Sequence, residues 1–570
     1  LSNENYAKMR IKIIRVPCFF TYFDMRLLPS LGMAGIYSFL KERGYDITQE
    51  DLNVSDFCRD HRPAHLKNRK LLLGLLSCKK RLADYLAGNS DSGIDHLVSS
   101  YLSGSDLNGV DVLLLSVMSE DSCSSVLAML IARYFKLNSS GKIVIAGGEW
   151  YQRAHIYDNF GIYNSLKAID YHIMGPGELS LDMLLRKIRG DSIDLKDISG
   201  LSYCNRGEII RNEVTAQPVL GQVSFYGLPI ERYRWNDSKF FIQRSPQIFS
   251  DKSILVLPVK NIVGCPNRCA FCGGGSTQRL LYREPSQAVK NLADLSREYN
   301  TKYFFFMDDL INVSKRFITE FCEEIIKSKL DICWSACASF RGLNDPQIYK
   351  LMRKAGACRL IFGLEAASPR LLEAMNKDLD LDQVAQGLRW SHEADIWTEL
   401  ETIVGFPHEN QEDVLRTLRF LNANRSYIDG VWLNEFFLDM GSPMFRNLGD
   451  YGITNIRRDD SLREVLRENE KRHYLFDEVN GLSWKDKSAQ AKRAYDRVAL
   501  QNLANGASTS LVADELSVIF YLYSHLSNIA DIKTYMAAYR NKNLRFLIWK
   551  SCFFIQSMLI HLVRCLTKRY

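Results

Sequence analysis

Between residues 10 and 215, short apolar runs alternate with segments of helical periodicity. IKIIRV (11–16) is apolar and β-branched, fit for a buried strand. LGMAGIYSFLKERGY (31–45) follows with apolar residues at helical spacing (Leu31, Ala34, Tyr37, Phe39, Leu40) and Gly44 as its stop. DVLLLSV (111–117) and KIVIAGG (142–148) read as two more buried strands around a helix-like SSVLAMLIARYFK (124–136). YHIMG (171–175) is a fourth, followed by a helix over about 179–189. Strand–helix alternation predicts an open parallel sheet with crossover helices for residues 1–215, interrupted by a helical insertion at about 55–108.

The pattern becomes irregular over 216–252, which reads as a linker packed over its neighbours. Alternation resumes with SILVLPV (253–259), a helical PSQAVKNLADLSREYN (285–300) and KYFFFMDD (302–309), an apolar strand ending in two acids. DICWSACASF, CRLIFGLEAAS and TELETIVGFP supply further strands, so five or six β/α units fit between 253 and 445. That is fewer than the eight of a closed TIM barrel, and the expectation is a partial (β/α)6 barrel. Past about 446 the strand signals stop, and 446–570 reads as a helical domain. Its segment 544–566 carries Trp549, Phe553 and Phe554 with cationic residues near its end. It fits either an interfacial membrane helix or a helix buried against the barrel or another subunit. No internal repeat of 20–50 residues is visible.

The chain has 570 residues, 46% hydrophobic and 24% charged, which excludes a largely disordered or low-complexity protein. The net charge of +7 does not call for a nucleic-acid partner, and Arg232, Tyr233 and Arg234 read as interdomain contacts. No run of 18 or more uncharged apolar residues occurs, and the N-terminus lacks a signal-peptide core, so the cytoplasm is the expected compartment. A first residue of Leu points to a trimmed or alternative start. Of fourteen cysteines, eleven are scattered and three cluster as Cys265, Cys269 and Cys272. In a reducing compartment clustered cysteines bind metal or do chemistry more often than they pair.

VGCPNRCAFCGGG (263–275) follows a predicted strand and carries Cys-x3-Cys-x2-Cys. Four cysteines normally complete a [4Fe-4S] cube or a zinc tetrahedron. Three leave one metal open unless a remote Cys322, Cys333 or Cys337 folds in. Gly273, Gly274 and Gly275 would let a small ligand approach the backbone closely. The bland alternatives are a zinc knuckle or unligated thiols, although the second Cys or His pair of a zinc site is not visible.

These residues resemble the radical S-adenosylmethionine (SAM) enzymes, and the resemblance continues for about 170 residues. FFFMDDLIN (304–312) looks like the family's acidic second strand, and RLIFGLEAASPRLLEAMNK (359–377) like its ribose- and methionine-contacting strand. ETIVGFPHENQED (401–413) is similar to the adenine-contacting strand, and LDMGSPMF (438–445) to the closing strand. The resemblance implies a [4Fe-4S] cluster on Cys265, Cys269 and Cys272 whose fourth iron chelates SAM, with reductive cleavage to a 5′-deoxyadenosyl radical. It places Gly273–Gly275, Asp308, Asp309, Glu365, Ser368 and Gly405 against the cofactor. Asp308 and Asp309 could instead cap the next helix. Glu365 shows no obvious salt-bridge partner in the sequence, and Arg341 fits either the SAM carboxylate or the surface.

In an open parallel sheet ligands bind beyond the C-terminal strand ends. The loops there hold Leu31 and Gly32; Ser116, Val117 and Met118; Gly147, Gly148 and Glu149; and Gly175, Gly177 and Glu178. No G-x-G-x-x-G follows the first strand, which disfavours a dinucleotide. This set resembles the cobalamin-binding domain that precedes the radical SAM barrel in one large subfamily. The D-x-H-x-x-G motif that supplies histidine to cobalt elsewhere is missing, which would leave Val117 or Met118 beneath the corrin; Pro176 replaces a commoner Glu. A vestigial sheet that only scaffolds the barrel is the alternative.

Together the resemblances imply a cobalamin-dependent radical SAM enzyme, most simply one moving a methyl group from methylcobalamin to a substrate carbon. A non-methylating cyclase or rearrangement enzyme and a noncatalytic Fe–S or corrinoid sensor are the other readings. Expected partners are a small-molecule or peptide substrate and an electron donor such as flavodoxin or ferredoxin.

Overall fold

The computed structural model describes residues 9–17, 28–55, 68, 70–75, 78–117, 122–137, 141–148, 168–234, 253–274, 279–458, 474–504, 508–509, 519–520, 523, 526 and 530–534. The predicted 544–566 helix, Met118, Glu149 and Gly275 lie outside them.

The first sheet contains β1 (Arg10–Arg15), β2 (Asp46–Asp51), β3 (Val112–Ser116), β4 (Ile143–Gly147), β5 (Tyr171–Ile173), β6 (Leu201–Asn205) and β7 (Glu208–Arg211), ordered β2-β1-β3-β4-β5-β6-β7. The four apolar runs read from the sequence are β1, β3, β4 and β5, all parallel. Helix α1 (Leu31–Glu42) starts on the Ser30 side chain, which accepts from Met33 N, and Gly44 follows its end at φ +81°. Within the expected insertion stand α2 (Lys79–Ala87) and α3 (Ser92–Leu102). α1 joins the parallel pair β1 and β2 and α4 (Ser122–Leu137) the parallel pair β3 and β4 as crossover helices, and α5 (Glu178–Ile188) follows β5.

Two features depart from the expected parallel sheet. β2 is an edge strand of sequence DITQED, too polar to show an apolar run, yet it buries Ile47, Gln49 and Asp51. β6 and β7 extend the other edge as an antiparallel hairpin.

The second sheet is parallel throughout, ordered β18-β15-β14-β13-β12-β11-β8. It comprises β8 (Val256–Val259), β11 (Tyr303–Phe306), β12 (Cys333–Ala338), β13 (Ala357–Glu365), β14 (Trp397–Val404), β15 (Gly430–Glu435) and the two-residue β18 (Ser508–Thr509). Five of these are the strands read from the sequence; β15 is not among them, and the seventh comes from beyond residue 446. β9 (Ile262–Val263) and β10 (Leu281–Tyr282) form a small hairpin at the rim. The strands do not stop at 446: β16 (Ile453–Arg458) and β17 (Tyr474–Glu478) pair antiparallel before helix α6 (Trp484–Ala504). The segment 438–445 is not a closing strand but a turn leading into a four-residue helix, Pro443–Arg446.

One apolar core runs through both sheets, from Ile11, Tyr37 and Leu40 through Phe225 to Tyr299 and Phe304. The described part of the linker stitches them together. Phe225 N donates to Tyr299 Oη at 2.9 Å, and Ser224 N to Ser38 Oγ at 2.7 Å. Tyr233 Oη meets Asp51 at 2.7 Å and Arg232 reaches Val54 O at 3.0 Å, which ties the linker to the first domain, whereas Arg234 pairs with Glu231 within the linker.

Candidate active site

The cysteine loop leaves β9 through Gly264 at φ +85°. Asp308 Oδ1 accepts from Asn261 N (2.7 Å) and Ile262 N (2.8 Å), and Asp309 Oδ2 from Gly264 N (2.9 Å). The acid pair after β11 thus caps no helix; it holds the backbone that leads into the cysteines. Burial pushes the Asp308 carboxyl up to about 7. Asp309 is partly open, with Lys260 Nζ at 3.9 Å.

Cys269 is buried, and Cys265 and Cys272 are half-buried. Ala270 N donates to Met375 O at 2.8 Å, and Met444 N to Ala270 O at 2.9 Å, so the loop is pinned from two sides. Burial raises the Cys265 and Cys269 thiols, and the Lys377 ammonium opposes that rise. Cys322 is fully buried among core helices and Cys333 shares a hydrogen bond with Cys358; neither is offered to the loop. Among the described residues no three His, Cys, Asp or Glu side chains converge on one ion-sized point. A cube of four irons takes each thiolate at its own corner and needs no such convergence. A Cβ at Gly273 would lie 2.4 Å from the Asp439 carboxylate, so the backbone after Cys272 must stay bare. Two half-buried thiols and one buried one, an adjacent cation and bare backbone fit an iron–sulfur cluster with one open corner.

Glu365 does have a salt-bridge partner, contrary to expectation: Lys377 Nζ lies 2.7 Å from Oε1, both side chains nearly buried. Glu365 stands at φ +63° where the β13–β14 register shifts. Ser368 donates to Asp413 Oδ1 at 2.6 Å, and Asp413 also binds Arg370 and Asn410 N, so this hydroxyl is tied to a buried carboxylate. Gly405, at φ +83°, donates its N–H to Glu409 Oε2 at 2.6 Å. Arg341 holds Asn267 Oδ1 (3.0 Å) and Asp378 (2.5 Å), which makes it an outer brace for the cysteine loop.

At the C-terminal ends of β1, β3, β4 and β5 lies a cavity of about 490 Å³. Leu31, Gly32, Ser116, Gly147, Gly148, Gly175, Pro176, Gly177 and Glu178 line it, as the loop reading anticipated. Val117 does not: it sits behind Gly148, whose Cβ position would be 2.3 Å from Val117 O. Burial raises the Glu178 carboxyl. Sequence reading missed the linker residues Pro218–Val223 and three barrel residues, Lys260, Val263 and Met307, which also line the cavity. The cavity therefore opens at the same rim that carries the cysteine loop.

Residues 261–421 match the Radical SAM superfamily. An uncharacterized methyltransferase of Pyrococcus horikoshii is 28% identical over 296 residues, 50% of this chain and 59% of the relative. The anaerobic magnesium-protoporphyrin IX monomethyl ester cyclase of Cereibacter sphaeroides is 26% identical over 44% of this chain and 40% of its own length. The match thus spans roughly half the length of these relatives. Among solved structures, OxsB with aqua-cobalamin and SAM bound superposes with a TM-score of 0.58, at 14% identity, over 98% of this chain and 81% of that one. The methyltransferase TsrM of Kitasatospora setae, with cobalamin and a [4Fe-4S] cluster bound, gives 0.56 at 15% identity over 87% and 89%. The chain carries a radical SAM domain at 261–421, set within the fold of cobalamin-dependent radical SAM enzymes.

Proposed function

We propose that the protein is a cobalamin-dependent radical SAM enzyme that methylates a carbon of a small-molecule or peptide substrate. One observation carries the reading: the cavity beside the first sheet is walled on its far side by Lys260, Val263 and Met307 of the barrel rim. Two cofactor sites that share a rim can act on one substrate.

Cys265, Cys269 and Cys272 would hold the cluster, and the glycine-lined cavity the corrin. Bound together, cluster, SAM and cobalamin supply reductive SAM cleavage to a 5′-deoxyadenosyl radical and a methyl group for transfer to carbon. The chain's own residues prepare for this. Asp308 and Asp309 fix the path of the cysteine loop. Lys377 favours the thiolate form of Cys269. Ile13, Leu114, Ile145 and Ile173 give the cavity an apolar floor, with no imidazole among its described lining residues. An apolar wall keeps water and stray hydrogen donors from a reactive carbon centre.

The cyclase relative supports a second reading, in which the same cofactors close a ring without methylating. On either reading a one-electron donor such as flavodoxin or ferredoxin and a reducing cytoplasm are required. Anaerobic protein with hydroxocobalamin, a reductant and SAM carrying a deuterated methyl group tests the choice. Methylation predicts labelled methylcobalamin and S-adenosylhomocysteine. Bound cobalamin and 5′-deoxyadenosine without either product would favour cyclisation.

A further inference from the structure

The loop after β14, residues 405–410, is sharply bent, with Gly405 at φ +83° and His408 at φ +58°. It lies in the segment that the resemblance assigns to the adenine of SAM, and the role inferred for Glu478 rests on that reading. Its shape is set from beyond the barrel. His408 N donates to Glu478 Oε1 at 2.6 Å, and Gln490 Nε2 donates to Glu409 O at 3.0 Å. A Cβ at Gly405 would stand 2.7 Å from that of Ala491, and one at Gly452 2.3 Å from His408 Nε2. Gly452 precedes β16, Glu478 ends β17, and Gln490 and Ala491 belong to α6, so one hairpin and one helix close on one loop.

Glu478 is the centre of this contact. Leu482 N donates to its Oε2 at 3.1 Å, and Lys487 Nζ lies 2.8 Å from Oε1, the two side chains being 3% and 2% exposed. A buried ion pair is a poor source of stability, because desolvation offsets most of the attraction. Its effect here is directional: Lys487 and Leu482 leave the carboxylate one orientation, aimed at the His408 amide. We propose that Glu478, fixed by Lys487, is a positioning residue for the adenosyl end of SAM, which makes the hairpin and α6 a working part of the SAM site.

The test uses full-length, cluster-reconstituted protein as wild type, Glu478→Gln, Lys487→Met and Lys487→Arg. Two quantities are read: S-adenosylhomocysteine affinity by calorimetry, and KM against kcat for 5′-deoxyadenosine formation. Glu478→Gln and Lys487→Met should raise Kd and KM about tenfold with little change in kcat, and Lys487→Arg should restore most of the loss. If the charge variants do not fold, Gln490→Ala carries the test, with an expected rise of about fivefold for one lost hydrogen bond. Unchanged affinity in folded variants, or a fall in kcat alone, overturns the inference while the SAM reading stands. Wild-type protein with a formed cluster that binds no S-adenosylhomocysteine overturns both.

Discussion

Lys377 Nζ and Glu365 Oε1 meet at 2.7 Å in space that only a glycine at position 363 leaves free; a Cβ there would be 2.5 Å from the carboxylate and 2.6 Å from the ammonium. The pair sits where β13 ends, beside the cysteine loop, and joins the two sides of the site electrostatically. Burial alone would lower the lysine, but Glu365 and Cys269 outweigh it and keep Lys377 charged.

Replacing Lys377 with Met leaves Glu365 buried without its cation and removes the charge that opposes the rise of the Cys269 thiol. The variant is expected to lose about 3–5 kcal/mol of stability and to take up less iron and sulfide on reconstitution. Metal analysis beside a urea unfolding curve checks both. Full iron content with unchanged stability would contradict the role given to Lys377.

Gly32 lines the cavity and has no atom within 4 Å of its Cβ position. Gly32→Phe therefore fills the cavity without backbone strain. Cobalamin retention, read from the visible spectrum, should fall sharply, while 5′-deoxyadenosine formation from SAM continues. Loss of both activities together would mean that the two sites are not separable in this way.

Inside the barrel, Arg359 and Glu399 form a bidentate pair at 2.9 and 2.6 Å, and Trp397 and Trp432 donate to the same carboxylate. Burial alone would raise Glu399; the Arg359 charge and these hydrogen bonds overcome it and hold the carboxyl below 4.5. The stabilisation is therefore complete above that value and is lost as pH falls through the depressed one. Arg359→Met should cost about 3–5 kcal/mol. It should also move the Glu399 carboxyl upward, since only the two indole hydrogen bonds are then left to oppose burial, so the stability lost at acid pH should shrink. Urea midpoints across pH for the two proteins check the smaller acid limb.

Asp308 has the opposite dependence. Burial raises its carboxyl from 3.8 to about 7, against the two backbone N–H groups it accepts. Its contribution is complete below 3.8 and is lost as pH rises toward 7. Asp308→Asn is expected to make this limb shallower, because a neutral amide has no proton to lose, while Glu409 and Asp429, also raised by burial, keep part of the slope. A variant whose profile falls as steeply as the wild type over that window would contradict the contribution given to Asp308.

The apolar strands and the glycine-bearing loops were legible because their requirements are local. Ile11–Val16 reads as a buried run, and Gly148 has to be small because Val117 O is behind it. The three cysteines were legible for the same reason, since their spacing is itself the ligand geometry. β2 was hidden because its buried residues Gln49 and Asp51 are polar; Asp51 goes inside only because Arg15 and Tyr233 meet it there. β16 and β17 were hidden by charges that pair across the hairpin, such as Arg457 with Asp477. Lys377, Glu478 and Met307 leave no mark in the sequence, because each acquires its role from a neighbour 12 or more positions away.

The radical SAM chemistry is tested most directly by anaerobic incubation of reconstituted wild-type protein and its Cys269→Ala variant with SAM and a strong reductant, followed by mass spectrometry for 5′-deoxyadenosine. 5′-Deoxyadenosine is expected from the wild type and none above background from the variant. Wild-type protein with a formed cluster that yields none, or a variant that yields as much, would contradict the role of the three cysteines and the chemistry built on them.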